Sequence, residues 1–215
     1  MDGRDYQIKM KENHSCKLCD LSTTCNPKSI CLNGESKGDG KKPLMIFLDA
    51  PGIVEDKRSK SFVSDGADLL RWLMARMSVR MEHVVFDYVL KCYPKPNPLF
   101  GKKPHRMSFI QACSVYRIAT LQLYRPKAVV VMGATACEAF LGSNKVSDFE
   151  GTTWTPEEPK IRELIDCVWV TYAPAYALQS PAECVTLYRT LFSAAQKAGL
   201  RPKLNQALKH YDFGF

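Results

Sequence analysis

Short apolar runs alternate with helical patterns along most of the chain. Four runs predict strands because they are short, apolar and bounded by turn residues; they span residues 44–48, 84–90, 128–132 and 167–172. Apolar residues at helical spacing predict a helix after each strand, over residues 65–77, 105–124, 134–141 and 183–198. This alternation predicts an α/β fold, a three-layer α/β/α sandwich around a four-stranded, mostly parallel sheet.

The two ends of the chain depart from this pattern. Residues 1–43 are polar and cysteine-bearing and predict an N-terminal arm, and residues 44–199 form the α/β domain, with Gly199 as the expected cap of the last helix. Residues 200–215 predict a C-terminal tail that is basic and then aromatic. We expect this tail to dock as a peptide in a replication or repair protein, with a plain disordered end as the alternative.

Charge and composition narrow the classes of partner. Lysine and arginine number 30 against 22 acidic residues, a formal net charge of +8 that favours a polyanionic partner such as nucleic acid. The sequence shows no run of 18 apolar residues and no apolar leader, so we expect neither a membrane span nor secretion. The expected location is the cytoplasm or another reducing intracellular compartment, where nine cysteines favour metal or redox chemistry over disulfides.

Four cysteines stand in recognisable local contexts. Cys16 and Cys19 form a C-x-x-C on the arm. Cys92 follows the second predicted strand, and Cys113 lies in a helical run. One close pair and two distant thiolates suit a [4Fe-4S] cluster that ties the arm to the body of the fold, because four cysteines can hold such a cluster. The alternative is a zinc site on the arm, formed by Cys16, Cys19, Cys25 and Cys31.

Seven motifs follow one another in a fixed order from residue 16 to the last helix. They are C-K-L-C-D-L at 16–21, D-A-P-G-I-V-E-D at 49–56, S-F-V-S-D-G-A at 61–67, Y-V-L-K-C-Y-P at 88–94, C-S-V-Y at 113–116, P-K-A-V-V-V-M-G at 126–133 and T-Y-A-P-A-Y-A-L at 171–178. In these motifs the chain resembles the uracil-DNA glycosylase superfamily, specifically its iron–sulfur (type 4) branch. The resemblance implies DNA binding, a base flipped out of the helix and hydrolysis of the bond between base and sugar. It also implies that the cluster ligands are Cys16, Cys19, Cys92 and Cys113.

The resemblance further implies a base pocket at the carboxyl ends of the strands. Its residues in this chain are Ala50, Pro51, Gly52, Phe62, Tyr88 and Ala173. Phe62 matches the aromatic residue on which the family stacks the base. Tyr88 stands where the family has the asparagine that reads uracil, and Ala173 stands where it has the histidine that stabilises charge on the leaving base.

These departures predict that uracil excision is lost or weak. A phenol does not reproduce the paired donor and acceptor of an asparagine amide, and Tyr88 is large enough to fill the pocket. Ala173 offers no donor, and the loss of one such donor typically costs about 10²–10³ in rate. Asp49 stands where the family has a glutamate and is the remaining candidate for a catalytic carboxylate.

Candidate DNA contacts lie around Cys92 and in the last motif. The basic residues that we expect to contact phosphates are Lys91, Lys95, Lys102, Lys103 and Arg106. Tyr93 and Phe100 interleave with them, which favours stacking on bases. Leu178 lies in the segment that replaces the family's DNA-inserting loop and is a candidate wedge. The alternatives are a solvated basic loop and a leucine that packs at the start of a helix.

Three functions remain open at this point. The first is a DNA-binding [4Fe-4S] protein whose uracil excision is lost or weak. The second is an active glycosylase with altered specificity for a modified base, in which Asp49 and Tyr88 read that base. The third is a protein-interaction module of a replication or repair complex, with weak affinity for DNA.

Overall fold

The computed structural model describes residues 16–25, 43–94 and 103–203. Within them, five strands form one sheet: β1 (Leu44–Leu48), β2 (Val84–Tyr88), β3 (Ala128–Met132), β4 (Thr153–Trp154) and β5 (Val168–Thr171). Their spatial order is β2-β1-β3-β5-β4, and every neighbouring pair is parallel except β4 with β5. The predicted α/β class and mostly parallel sheet are confirmed.

The strand β4 corrects the predicted count from four strands to five. Its two residues, Thr153 and Trp154, are both exposed. They pair antiparallel with Trp169 and Val168 of β5. A strand this short and exposed forms no apolar run, so the hydrophobic pattern of the sequence does not mark it.

The predicted helices are present, two of them with changes, and the structure adds short helices that the sequence pattern did not predict. Those of the described residues are α1 (Leu21–Thr24), α2 (Ile53–Arg58), α3 (Asp65–Arg76), α4 (Lys103–Ala112), α5 (Ser114–Tyr124), α6 (Ala134–Leu141), α7 (Pro159–Arg162), α8 (Pro174–Ala177) and α9 (Pro181–Lys197), with short 3-10 helices at Met81–His83 and Val146–Asp148. The single helix predicted over 105–124 is two helices, because Cys113 between them has ψ −5° rather than the usual value near −42°. The last helix begins earlier than predicted, at Pro181, a residue type favoured in the first turn. None of these helices is long and apolar enough to cross a membrane.

Alternation along the strands builds one apolar core on each face of the sheet. On the first face Ile46 and Val130 pack with α3 and α9. On the second face Phe47 and Val131 pack with α4, α5 and α6. The second core also contains Cys92 and other buried cysteines, so the cysteine region is continuous with it. This arrangement is the predicted three-layer sandwich.

The four parallel strands end level with one another. Leu48 pairs with Tyr88 on one side and with Met132 on the other, and Met132 pairs with Thr171. The loops that follow these residues therefore meet at one edge of the sheet. Binding sites in open parallel sheets lie at this edge.

Part of the predicted N-terminal arm lies against the body of the fold. Leu21 of α1 is 1% exposed and packs in the second core. Residues 26–42 and 204–215 lie outside the described residues. The bounds of the arm and of the tail, and the docking of the tail on a partner, therefore stay predictions.

Candidate base pocket and metal centre

Two aromatic rings stack on each other at the predicted base pocket. Tyr88, the last residue of β2, lies parallel to Phe62 with ring centroids 4.6 Å apart and an interplanar angle of 9°. The two residues are 3% and 2% exposed. The Phe62 N–H donates to the Tyr88 hydroxyl oxygen at 3.3 Å. Phe86 also packs against Phe62, with its ring centroid 5.2 Å from that of Phe62.

Burial also fixes the chemical state of the Tyr88 phenol. It raises the pKa of Tyr88 well above its ordinary value of 10, and the charge of nearby Glu55 acts in the same direction. The hydroxyl therefore stays protonated at neutral pH. A neutral phenol at this position accepts from the Phe62 amide and fills space, and it does not offer the donor and acceptor pair of an amide.

The loop that carries Phe62 is held by the carboxylate of Glu55 in α2. This carboxylate is buried and accepts N–H groups of Gly52, Val63 and Ser64 at 3.1, 3.3 and 3.1 Å. It therefore ties the loop after β1 to the loop that follows α2. Sequence reasoning quoted Glu55 as part of a motif and gave it no role; only the fold brings its three partners together.

Phe62 itself adopts a backbone conformation that is unusual for a side chain of its size. Its φ is +53°, in the left-handed region. The Arg71 guanidinium donates to the Phe62 carbonyl at 2.5 Å and helps to hold this conformation. The aromatic ring is therefore placed by the surrounding structure rather than by local preference.

Asp49, the candidate catalytic carboxylate, turns toward the start of α6. Its Oδ1 accepts the Ala136 N–H at 2.7 Å, and the backbone of Thr135 and Ala134 adds to this contact. Gly133 makes room for it: with φ +99°, a Cβ there would lie 2.3 Å from Asp49 Oδ2. Burial raises the pKa of Asp49 to about 6, against the lowering effect of these N–H groups. The carboxylate caps a helix, and a catalytic role for it stays a prediction.

The remaining pocket residues line the same edge of the sheet. Ala50 and Gly52 are half-buried and Pro51 is buried after β1, while Ala173 is half-buried at the start of α8. The methyl group of Ala173 offers no hydrogen-bond donor toward the edge. In the segment that follows Ala173, the Tyr176 side chain is open to solvent, with 50% of its surface exposed.

The structure corrects one of the predicted DNA contacts. Lys91 is 1% exposed and its ammonium pairs with the buried Asp87 carboxylate, so it does not face solvent or a phosphate. Arg106 is also engaged within the protein, where it makes two hydrogen bonds to the buried Glu138 carboxylate. Charge alone predicts a surface position for Lys91, whereas a buried carboxylate four residues earlier, in β2, neutralises it.

The other predicted DNA contacts stay open. Lys95 and Lys102 lie outside the described residues, and so does the side chain of Lys103. Leu178 is half-buried and packs against the first core. The packing of Leu178 favours the alternative in which it supports the helix start, and its role as a wedge stays a prediction.

The fold brings the four predicted cluster cysteines to one region. Cys92 and Cys113 are buried in the second core, and Cys16 and Cys19 pack against it half-buried. A cavity of about 420 Å³ lies beside the arm cysteines. The thiols affect one another: burial first, then the charges of Cys19 and Cys16, raise the pKa of Cys113 to about 11.

A fifth cysteine lies in the same region. Cys25, at the end of α1, is buried, and its thiol forms a hydrogen bond with that of Cys92. This contact and burial raise the pKa of Cys92 above its ordinary value. Sequence reasoning placed Cys25 only in the zinc alternative with Cys31, which lies outside the described residues. The position of Cys25 in the sequence does not predict its contact with Cys92, which lies far along the chain.

The geometry of these thiols bears on which metal group they fit. In the part of the chain that the structure describes, no three Cys, His, Asp or Glu side chains converge closely enough to hold a single metal ion. A four-iron cluster takes one thiolate on each of four irons, so its ligands stand farther apart than those of one zinc ion. The region contains five cysteines with no disulfide among them, which fits a cluster. The positive charge of the iron–sulfur core would offset the electrostatic repulsion between neighbouring thiolates.

Comparison with known proteins agrees with the fold and the motifs. The family model of the uracil DNA glycosylase superfamily matches residues 35–200. The chain is 28% identical over 171 residues to the type-4 uracil-DNA glycosylase of Pyrobaculum aerophilum, covering 77% of this chain and 82% of that protein. It is 32% identical over 141 residues to that of Thermotoga maritima, covering 66% and 68%, and 29% identical over 182 residues to that of Sulfurisphaera tokodaii, covering 82% and 78%. The chain belongs to the uracil-DNA glycosylase superfamily, in its type 4 branch.

Proposed function

We propose that this chain is a DNA-binding [4Fe-4S] protein of the uracil-DNA glycosylase fold in which uracil excision is lost or weak. The observation that carries the proposal is the buried parallel stack of Tyr88 on Phe62, at 4.6 Å. A flipped base needs the face of an aromatic ring and open space beside it. Tyr88 takes both, so uracil has to displace a buried phenol ring before it binds.

Displacing the Tyr88 ring adds to the free energy that base flipping already costs. Flipping a base out of a duplex costs a few kcal/mol by itself, and exposing a buried aromatic side chain forfeits about 1.5–3 kcal/mol more. The hydrogen bond between the Tyr88 hydroxyl and the Phe62 amide is lost as well. Ala173 then leaves the departing base without a donor, which typically costs about 10²–10³ in rate.

The cluster belongs to this proposal as a structural group. Cys16, Cys19, Cys92 and Cys113 would hold it, and it would fasten the arm to the second core. Zinc stays the alternative. A variant of Cys25 distinguishes the two assignments, because Cys25 is a ligand only in the zinc site. Cys25→Ala keeps full iron and sulfide content if the four proposed cysteines are the ligands, whereas Cys113→Ala loses it. Loss of metal from Cys25→Ala would favour a set that includes Cys25.

DNA is the proposed partner, and a reducing intracellular compartment the proposed location. The net charge of +8 supports a polyanionic partner, and the relatives are named for action on uracil in DNA. A replication or repair protein that binds the C-terminal tail remains part of the proposal. Phosphate contacts predict that the logarithm of DNA affinity falls linearly with the logarithm of salt concentration.

The decisive experiment is base release by anaerobically purified protein at enzyme excess. Its substrates are single- and double-stranded oligonucleotides that carry uracil, hypoxanthine, xanthine or 5-hydroxymethyluracil. We expect little or no uracil release by the wild type, and much faster uracil release by the double variant Tyr88→Asn with Ala173→His. The matched control, Tyr88→Phe with Ala173→His, keeps the ring in the pocket and should stay inert.

The outcomes separate the candidate functions. Uracil release by the wild type as fast as that by the double variant contradicts the proposal, and so does a folded, cluster-loaded double variant that is no more active than the wild type. No release together with salt-sensitive DNA binding supports it. No release and no salt-sensitive binding favours the protein-interaction module instead.

A second candidate function is a glycosylase for a modified base, and one observation favours it. Asp49 follows β1 at the edge of the sheet where the pocket residues lie, and burial raises the pKa of its carboxyl to about 6, a value that suits a general acid or base. Release of a base other than uracil, abolished in Asp49→Asn, would establish this function. Unchanged release in that variant would remove Asp49 from the mechanism.

A further inference from the structure

A buried arginine lies next to the cysteine region. Arg117, on α5, is 2% exposed. Its Nη2 donates to the Glu158 carboxylate at 3.1 Å. Its Nε and Nη1 are buried and have no hydrogen-bond partner among the described residues. A charged group left this incompletely paired in the interior is costly unless another negative charge stabilises it.

The sequence spacing directs Arg117 toward a cluster cysteine. It follows Cys113 by four residues on the same helical face, and its backbone N–H donates to the Cys113 carbonyl at 3.4 Å. The guanidinium interacts electrostatically with the Cys113 thiol as well as with Glu158. The Phe140 ring, 5.4 Å from the guanidinium carbon, covers it from another side.

The second buried cation of this region contributes less net charge. Lys91 precedes Cys92, and its ammonium pairs with Asp87, with both side chains 1% exposed. That pair is neutral as a unit. The counter-ion of Arg117 is different, because the Glu158 side chain is 31% exposed and its charge is partly screened by water. Among the buried cations that the structure describes in this region, Arg117 is therefore the one whose charge is less fully neutralised.

We propose that Arg117 balances the negative charge of the thiolate-ligated cluster and thereby raises its reduction potential. This inference rests on the cluster assignment in the proposed function. Four thiolates on a [4Fe-4S] core make an anionic group, and a buried cation favours the state with one more electron. Arg117 acts through Cys113 and its surroundings, so it is a positioning residue rather than a ligand.

The test is a redox titration of the cluster, with dithionite as the reductant and the spectrum of the cluster as the readout. Arg117→Met removes the charge and should lower the equilibrium constant for reduction about tenfold, which is about 59 mV for one electron. Arg117→Lys keeps the charge and should stay near the wild type. Glu158→Gln removes the counter-ion and should shift the potential in the opposite direction, which loosened packing does not explain.

A matched control lies at the far end of the same helix. Arg125 is exposed and follows α5, about 18 Å from Cys113 along the helix at 1.5 Å per residue. Arg125→Met should leave the potential unchanged. A cluster-loaded Arg117→Met with an unchanged potential overturns the inference. If that variant does not load a cluster, an unchanged potential in Glu158→Gln overturns it.

The same titration distinguishes failure of the cluster assignment from failure of the role proposed for Arg117. A wild type that contains zinc, or no metal, removes the cluster assignment of the proposed function and this inference with it. A wild type with a full cluster whose potential ignores Arg117 and Glu158 leaves the proposed function intact and removes this inference alone.

Discussion

At the scale of single residues, the ring and the hydroxyl of Tyr88 contribute differently to stability. Tyr88→Phe keeps the stack on Phe62 and loses one hydrogen bond, so we expect a loss of about 1 kcal/mol in the free energy of unfolding. Tyr88→Ala empties a buried site and should cost about 3–5 kcal/mol. Urea unfolding of the two variants under the same conditions measures the difference. Equal losses would show that the phenol ring is not part of the packed interior.

At the scale of elements, Asp49 joins the end of β1 to the start of α6. Burial raises the pKa of its carboxyl from 3.8 to about 6, so the folded protein binds this proton more tightly than the unfolded chain. The resulting stabilisation is complete below about pH 4 and is lost as the pH rises to about 6. The loss in the free energy of unfolding amounts to at most about 3 kcal/mol, since one pKa unit corresponds to about 1.36 kcal/mol. Asp49→Asn, measured by urea unfolding across this range, should therefore gain stability relative to the wild type as the pH rises. Asp166→Asn, at an exposed aspartate, is the control; a constant difference for Asp49→Asn would contradict this account.

At the scale of the whole molecule, the cysteine region links the arm to the body and should couple stability to DNA binding. Cys113→Ala should lose the cluster, lower the free energy of unfolding and weaken DNA binding together, because metal-site energy is part of folding energy. Cys184→Ala, in the opposite core, is the matched control and should keep the cluster. The measurements are iron content, urea unfolding and DNA affinity at two salt concentrations. A cluster-free Cys113→Ala protein with unchanged stability and DNA affinity would disprove the coupling.

The sequence predicts the features that depend on neighbouring residues better than the contacts that depend on packing between elements. Strands β1 and β3 were predicted with their observed ends because each is a continuous apolar run between turn residues. Contacts that depend on packing were not predicted: the buried pair of Lys91 with Asp87, Cys25 beside Cys92, and the three backbone amides that bind Glu55. Each of these depends on how elements pack, and charge or spacing along the sequence does not encode that packing.

The two borders of the sheet limit how another protein is able to attach. An open border presents a row of unpaired N–H and C=O groups onto which a foreign peptide adds as a further strand. Here one border is β4, two residues long, and the other is β2, whose five residues are all buried. Neither offers a long exposed row of backbone groups. At the sheet that the structure describes, a peptide is therefore bound through side chains rather than as an added strand, and this sheet is protected against edge-to-edge pairing with another copy.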